Sequence, residues 1–366
     1  MTVTERFKSL ATASGRHVSC RIELGDVTYT DDNIIKLDFA DMAHPDWFTI
    51  GTTCSNELSF TVVNLTKPEV HDEVRAYISF DEEEWVPLGI FYIARRYFRG
   101  KYATFVCYDR MYDLDVELQH EFPPLTFTNA KELLDIVCAE AGLEFNGSCV
   151  DYAILNPKKP VTLRQLLGYI AALHCGIAKI NRYGALVFKT YSEMPTEQLS
   201  ANNCIRETRN ITRAGVRGIR VNTGREILRY KEHNEGLSMI DLYNPFMRQD
   251  LVDAIGMQLD RLYFYGAEIE MQGLPFLEAG DFILLEDADG SLNPIVMSEI
   301  QYHYNGALTA KLYSRNKEDS DTVVRKQEFE DAIAALWDYV SDSDTVVHRS
   351  EFADAINSLW EYVTQK

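Results

Sequence analysis

Residues 273–314 read GLPFLEAGDFILLEDADGSLNPIVMSEIQYHYNGALTAKLYS and contain two β-hairpins that the sequence predicts directly. Apolar residues alternate with polar ones up to a turn at Asp289 and Gly290, and again around a turn at Asn305 and Gly306. Period-two alternation around an Asx-Gly pair is a strong hairpin signal, because both residue types tolerate the positive φ of a tight turn. The alternating apolar positions are Ile283, Leu285, Ile295 and Met297 in the first hairpin and Ile300, Tyr302, Tyr304, Leu308, Ala310 and Leu312 in the second.

Residues 1–120 show the same alternation in four further runs. Turn-forming residues separate these runs, for example Gly25-Asp26 and Arg99-Gly100. Many short alternating strands predict a sandwich or a barrel. The alternating positions are Val18, Cys20, Ile22 and Leu24, then Leu58, Phe60 and Val62, then Val74, Ala76, Ile78 and Phe80, and then Ala103, Phe105 and Cys107.

Residues 121–200 predict a small unit with both helices and strands. One helix is expected over 129–141, beginning at a Thr128 cap and ending at Gly142. A second helix is expected after a Thr162 cap, because apolar residues then recur at helical spacing. A β-hairpin should follow this helix.

Residues 201–315 return to β structure, with one amphipathic helix expected around 245–262. The tripeptide Asn244-Pro245-Phe246 precedes that helix. The chain is therefore predicted to be α+β and mainly β, with a small α/β insert between two β regions.

Residues 316–366 contain two copies of a 23-residue helical repeat, 321–340 and 344–363. Apolar residues at 4-3-4 spacing are typical of a coiled-coil seam, but each copy is too short to be a stable isolated helix. The copies are expected to pack on their own barrel, on symmetry mates around a threefold axis, or on a fibre or tip protein. The predicted interface residues are Phe329, Ile333, Leu336, Trp337, Val340, Phe352, Ile356, Leu359, Trp360 and Val363.

The charge of the chain excludes one class of function. The net charge is −20, and residues 318–366 hold 12 acids and 4 bases. A nucleic-acid-binding surface needs clustered Lys and Arg, so the composition argues against one. The longest apolar stretch, 169–180, is too short to span a bilayer. Seven scattered cysteines without a CxxC pair indicate free thiols in a reducing cytoplasm.

No motif in the sequence predicts an active site. His174 and Cys175 are adjacent on a helix and point in different directions, so they cannot form a Cys–His pair. Asp287 and Asp289 faintly match a calcium loop, but a hairpin turn explains them better. The acids of 81–84 read as a solvated turn. We therefore predict no catalytic, cofactor-binding or metal-binding residue, no cofactor and no enzymatic activity.

Several stretches resemble one family, in the family's order. The pattern G-x-P-x-(I/L)-E-x-G-D-x-I over 273–283 and the closing hairpin Y-x-G-x-L over 304–308 are similar to the last barrel of phage tail hub and tail-tip proteins. The run TLRQLLGYIAALHCGIAKINRYGALVF over 162–188 resembles the insert between their two tube-like domains. Residues 48–58 and 87–93 resemble the first of these domains. The chain is identified as a member of the phage tail baseplate hub family, whose N-terminal tail-associated-lysin-like module shares the fold of the T-even phage hub.

This resemblance implies two tube-like β-barrel domains, 1–120 and 201–315, on either side of the insert at 121–200. It implies a homotrimer whose six barrels form a ring between the tail tube and the spike. The implied partners are further copies of the chain, the tail tube and distal tail proteins, and a spike, fibre or tip protein bound through the C-terminal helices. DNA would pass through the lumen only as cargo, and the chain would not insert into a membrane. The implied location is the virion, after assembly in the host bacterial cytoplasm. Prophage tails and contractile injection systems include such hubs.

Two other functions stay open from the sequence. One is a tail-associated cell-wall hydrolase, although the repeats stand where lysins of this family often carry a hydrolase region, which puts a lytic role in doubt. The other is a tail protein that binds host polysaccharide, because the chain has 20 Tyr and 4 Trp residues that could stack on sugars.

Overall fold

The computed structural model describes residues 3–63, 68–123, 126–192, 194–210, 214–231, 239–287 and 290–315. The predicted C-terminal repeats, with their interface residues from Phe329 to Val363, lie outside the described residues. So does Asp289 of the first predicted hairpin turn.

The described residues form a mainly β structure with four α-helices and two short 3-10 helices. The α-helices are α1 (Glu5–Thr12), α2 (Ala130–Ala141), α3 (Leu163–Leu173) and α4 (Gln249–Leu259), and the 3-10 helices span Arg110–Leu114 and Ala201–Asn203. The strands of the first half are β1 (Ser19–Leu24), β2 (Val27–Tyr29), β3 (Ile34–Met42), β4 (Glu57–Val63), β5 (Glu73–Ser79), β6 (Val86–Arg99), β7 (Tyr102–Tyr108), β8 (Phe127–Asn129), β9 (Ala153–Leu155), β10 (Gly176–Ile180) and β11 (Leu186–Thr190). Those of the second half are β12 (Glu197–Leu199), β13 (Cys204–Arg209), β14 (Ala214–Gly215), β15 (Gly218–Asn222), β16 (Ile227–Tyr230), β17 (Met239–Tyr243), β18 (Tyr263–Phe264), β19 (Ala267–Gln272), β20 (Phe282–Glu286), β21 (Leu292–Val296), β22 (Glu299–Tyr304) and β23 (Leu308–Ser314).

The largest sheet is antiparallel and has eleven strands in the order β13-β19-β23-β22-β3-β4-β7-β6-β5-β1-β2. Strand β22 pairs with β3, with Glu299 opposite Met42 at one end of the ladder. Strands from residues 1–120 and from residues 201–315 therefore share one continuous curled sheet. The division into two tube-like barrels stays a prediction.

One face of this sheet is buried over most of its strands, as the alternating sequence runs predict. In β4, Leu58 and Phe60 are fully buried, whereas their neighbours Glu57 and Ser59 reach solvent, because successive side chains of a strand point to opposite faces. The buried face, α1 and the hairpin β20–β21 share one hydrophobic core. Both hairpins predicted from residues 273–314 are confirmed by the pairings β20–β21 and β22–β23.

Helix α2 begins one residue later than predicted, and Thr128 is not its cap. Thr128 belongs to β8, which pairs with β9, and its hydroxyl donates to Glu132 (2.8 Å). The cap is Asn129, whose side chain accepts from the backbone N–H of Lys131 (2.8 Å). The predicted stop at Gly142 is confirmed, since this residue adopts a left-handed conformation with φ of 62°.

Helix α3 begins at the predicted cap. Thr162 accepts from the backbone N–H of Gln165, and the Gln165 side chain accepts from the backbone N–H of Thr162, which completes a capping box. The apolar face of α3 packs with α2, the hairpin β10–β11 and α4 in a second hydrophobic core. The insert thus shares this core with parts of the region 201–315, and the core lies beside that of the large sheet.

The absence of a side chain at Gly168 allows α3 to lie close to Gly51, which follows β3 in the chain. A Cβ at Gly168 would lie 2.6 Å from the carbonyl oxygen of Gly51, a backbone atom that cannot rotate away. We expect Gly168→Ala to lower the free energy of unfolding by about 1 to 3 kcal/mol, measured by urea denaturation. An increase in the free energy of unfolding is the other possible result, because replacing glycine by alanine inside a helix stabilises the helix by about 1 kcal/mol. A more stable variant would show that this contact does not limit packing.

Candidate assembly site

The solvent-facing side of the eleven-stranded sheet, here called the open face, carries charged side chains in neighbouring pairs. On β19 and β23, Lys311 pairs with Glu268 (2.5 Å). Other pairs lie within single strands, at i and i+2, where side chains share a face; they are Lys36–Asp38 (3.2 Å), Arg75–Glu73 (2.6 Å) and Arg21–Glu23 (3.4 Å). Exposed pairs of this kind contribute little to stability. The open face is thus a broad polar surface of mixed charge.

A half-open cavity of about 570 Å³ lies on this face where strands of both β regions meet. Its lining includes Asp38, Glu57, Glu270, Lys311 and the exposed Ile205. Acids, a base and an apolar side chain together fit a contact with a polar protein surface better than a small apolar ligand.

The motif GLPFLEAGD, residues 273–281, forms a loop that basic side chains of the hairpin β10–β11 hold from below the sheet. Arg182, in the turn of that hairpin, donates to the carbonyl oxygens of Pro275 and Leu277, the latter at 2.7 Å. Its guanidinium also lies 3.2 Å from the Glu278 carboxylate. Arg182 is only 5% exposed, so a buried cation, through charge-assisted hydrogen bonds, fixes the loop and the insert to each other.

Lys179 makes a second buried connection, which joins three parts of the chain. From β10, its ammonium group contacts the carboxylate of Asp41 on β3 and donates to the carbonyl oxygen of Ala279 (3.0 Å). The other Asp41 oxygen accepts from the backbone N–H of Ala279 (2.9 Å). Lys179 and Asp41 are 5% and 3% exposed. A buried pair with such additional hydrogen bonds specifies one arrangement, because a displaced partner leaves an uncompensated charge.

Lys189 of β11 completes the set by pairing with Asp281 (2.7 Å) at the end of the loop. Burial lowers the pKa of the Lys189 ammonium, but Asp281 and Glu278 raise it by more. Burial likewise opposes ionisation of Glu278, and Arg182 and Lys189 together bring the pKa of that carboxyl down to about 2. Lys189 and Glu278 therefore stay charged at neutral pH, and the ion pairs of Lys189 with Asp281 and of Arg182 with Glu278 form an electrostatic clamp on the loop.

Two further buried groups lie next to this clamp. His44 is fully buried, and its Nε2 is 2.6 Å from the hydroxyl of Tyr191. Burial, followed by the charges of Lys179 and Arg315, lowers the His44 pKa to about 3, so the ring is neutral. Its Nδ1 has no hydrogen-bond partner among the described residues. A neutral ring in an aromatic setting, 5.2 Å from the Phe48 ring, serves packing.

The residues that the sequence analysis considered for catalysis or metal binding make structural contacts. His174 and Cys175 follow α3 and do not lie on the helix as predicted, because His174 is the C-cap residue and Cys175 has a φ of 54°. The His174 ring accepts from the backbone N–H of Val150 (3.3 Å). Asp287 accepts from Arg209 (2.8 Å), and its carbonyl accepts from the N–H of Gly290 (2.9 Å), which makes it a turn residue as expected.

The acidic turn 81–84 receives the N-terminal segment. The Asp81 carboxylate accepts from the backbone N–H groups of Glu84 and Glu83, which lowers its pKa, and Arg6 of α1 lies 3.2 Å from it. The backbone N–H of Thr4 donates to Glu84 (3.1 Å). These acids anchor α1.

No helix among the described residues is long and apolar enough to cross a bilayer.

The comparisons with known proteins place this architecture among solved folds. No protein-family model and no curated protein matches the chain. The tail protein from Neisseria meningitidis MC58 aligns over 81% of this chain and 97% of its own length, with a TM-score of 0.55 and 12% identity. The 43 kDa tail protein of prophage MuSo2 from Shewanella oneidensis aligns over 82% of this chain and 98% of its own length, with a TM-score of 0.53 and 11% identity.

The chain is therefore a mainly β protein with a large curled sheet and an α/β insert that the GLPFLEAGD loop fixes to that sheet. It has the fold of phage tail proteins, so the resemblance to phage tail proteins is confirmed at the level of the fold. The more specific resemblance to the T-even phage hub stays a prediction.

Proposed function

We propose that this chain is a structural protein of a phage or prophage tail, placed at the tail tip or baseplate. The observation that carries the proposal is the fold likeness, which extends over nearly the whole length of two solved tail proteins. The broad polar face of mixed charge supports a role in protein contacts. The chain would act in the virion, after assembly in the cytoplasm of the host bacterium.

In the finer form of the proposal, three chains make a closed hub ring. Each chain supplies two tube-like β regions, 1–120 and 201–315, and the ring connects the tail tube and distal tail proteins to a spike or fibre. The repeats over 316–366 dock the tip protein or close the threefold axis. DNA passes through the lumen as cargo, which suits a chain with a net charge of −20 because like charges repel. The same geometry would serve a contractile injection system.

Light scattering of the purified protein tests the ring. We expect a mass near three times 41.9 kDa, about 126 kDa, for the full chain. The matched shorter chain should end after residue 317, where the first compact unit ends. It then keeps Arg315, which donates to the carbonyl oxygens of His44 (3.0 Å) and Pro45 (2.8 Å).

The two masses separate the roles of the repeats. If only the full chain is trimeric, the repeats hold the trimer together; if both are trimeric, the repeats are a docking site. A monomer in both cases overturns the preformed ring. The tail location has its own test, which is gold labelling of this chain in tails purified from its bacterium. Label absent from the tail tip, or clearing of cell walls by the pure protein, contradicts a structural tail role.

A further inference from the structure

The segment that forms the hairpin β6–β7 departs from the acidic character of the chain. Residues 85–108, WVPLGIFYIARRYFRGKYATFVCY, contain four basic residues and no acid. Because the whole chain carries −20, the remainder carries −20 − 4 = −24. The four basic residues are Arg95, Arg96, Arg99 and Lys101. They fall within seven positions, 95–101, so the positive charge is concentrated in one place.

The structure puts these residues at the tip of the hairpin β6–β7, here called the basic tip (95–102). After a bulge at Ala94, Arg95 lies opposite Val106, and Arg99 lies opposite Tyr102 across the turn. Arg95, Tyr97, Arg99 and Tyr102 thus share the open face, where the two tyrosines are 54% and 41% exposed. The basic tip combines cations with exposed aromatic rings, the composition of a protein-contact surface.

The cations of the basic tip differ in how far the fold already uses them. Arg96 points to the other face, where it contacts the carbonyl oxygen of Pro68 and lies 3.2 Å from Glu69. Arg95 and Arg99 are exposed and have no carboxylate within ion-pair distance in the described part of the chain. These two charges are therefore available to an acidic partner.

The same chain presents a surface of matching chemistry. Just after β7, the segment 112–121, here called the acidic segment, reads YDLDVELQHE. Its exposed acids are Asp113, Asp115, Glu117 and Glu121, of which Asp115 already pairs with Arg164 of the same chain (3.1 Å). Tyr112 and Val116 are exposed beside them, at 46% and 52%. Acids interleaved with apolar side chains complement bases interleaved with aromatic ones.

The basic tip of one chain cannot reach the acidic segment of the same chain. The basic tip and the acidic segment lie at opposite ends of β7, which spans Tyr102–Tyr108 and so separates them by about 20 Å at 3.3 Å per residue. The strand is paired on both sides, with β4 and with β6, so it cannot fold back. The acidic segment that the basic tip reaches must belong to another copy.

We propose that the basic tip of one chain docks on the acidic segment of the next, through Arg95, Arg99, Tyr97 and Tyr102. This contact is heterologous, because the two surfaces differ, and successive contacts of this type close a ring when the rotation allows it. The inference rests on the self-assembly in the proposed function and names the surfaces that drive it. It also explains how chains of net charge −20 overcome their mutual repulsion.

Reversal of charge on each surface tests the contact. R95E/R99E and D113K/E117K should each weaken self-association by about a hundredfold, since like-charge contacts cost several kcal/mol. A chain with all four substitutions should regain association, because the swapped charges attract again. The matched control is R217E/R225E, which makes the same change in charge at exposed positions outside both surfaces. Sedimentation velocity over a concentration series gives the association constants.

Salt gives an independent readout on the unmodified protein. General repulsion between acidic chains would make association stronger as salt rises, whereas docking of the basic tip predicts that it weakens between about 0.05 M and 0.5 M salt. This contact is overturned if association survives R95E/R99E, or if the variant with all four substitutions does not regain association. Either result leaves the proposal of a trimeric tail protein intact. A chain that stays monomeric at every concentration overturns both the contact and the preformed ring.

Discussion

Replacing Lys179 by methionine should lower the free energy of unfolding by about 3 to 5 kcal/mol. Methionine replaces the aliphatic part of the lysine side chain but lacks its ammonium group, so the Asp41 carboxylate stays buried without a counterion. The carbonyl oxygen of Ala279 also loses a donor at 3.0 Å. The loss should be seen as a lower urea midpoint with an unchanged denaturant slope, because the change affects stability and not the compactness of the unfolded chain.

A double variant tells a broken pair from a general packing defect. In K179M/D41N the buried charge is gone, and the asparagine oxygen can still accept from the backbone N–H of Ala279. The double variant should therefore be more stable than the sum of the two single losses predicts. The exposed pair Lys36–Asp38 supplies the control, because Lys36→Met should cost less than about 1 kcal/mol. Equal losses for the two lysine variants would show that burial of the first pair has no energetic consequence.

The hairpins of this fold could be predicted because their information is local. A two-residue turn signal and period-two alternation fix β22 and β23 within sixteen residues. The pairing of β22 with β3 joins residues more than 250 positions apart, as Glu299 opposite Met42 shows. The sequence of neither strand specifies its partner, because both strands only present one apolar face. The sequence therefore predicted the hairpin β22–β23, but neither strand β3 nor the shared sheet.

The buried cations were missed for a different reason. Lys179 interrupts an otherwise apolar strand, and a single polar residue in such a run gives no sign of its partner. A signal was available in the opposite direction. Glu278 and Asp281 lie in the apolar motif GLPFLEAGD, where acids need basic partners if the loop is buried. The candidate partners were the basic residues with apolar neighbours in the hairpin β10–β11, which are Lys179, Arg182 and Lys189.

The basic tip was missed because charge was considered over the whole chain. A net charge of −20 hides a segment of 24 residues that carries four bases and no acid. Assembly depends on local complementarity, so the relevant scale is one hairpin and not one chain. The assembly residues predicted from Phe329 to Val363 stay a prediction, and the basic tip adds a second surface that the fold places in solvent.

Acid should destabilise the native protein through His44. The unfolded imidazole takes up a proton below about pH 6.5, whereas the buried ring does so only near pH 3. Between these values the unfolded state binds more protons, so the stability that the neutral ring contributes is complete above pH 6.5 and is lost as the pH falls toward 3. At 1.36 kcal/mol per pH unit, the loss reaches about 2 kcal/mol at pH 5 and about 5 kcal/mol at pH 3.

Other groups titrate in the same range and must be separated from His44. Below its ordinary pKa of 4.5, Glu278 adds to the loss, because its folded pKa is about 2. Burial acts in the opposite direction on Asp109 and raises its pKa to about 7, although its carboxylate accepts from the backbone N–H groups of Asn56 (2.9 Å) and Met111 (3.0 Å). The total pH profile is therefore a sum of opposing contributions.

The variant His44→Gln isolates the histidine, because its amide nitrogen or oxygen can replace Nε2 toward Tyr191 but does not titrate. Urea unfolding of both proteins from pH 7 to pH 4 gives a difference in which Glu278 and Asp109 cancel. That difference should shift against the wild-type protein by about 2 kcal/mol between pH 7 and pH 5. A difference that does not change with pH would mean that His44 is already accessible to protons in the native state. Lys179→Met should reduce the shift, since the Lys179 ammonium is one of the charges that oppose protonation of the ring.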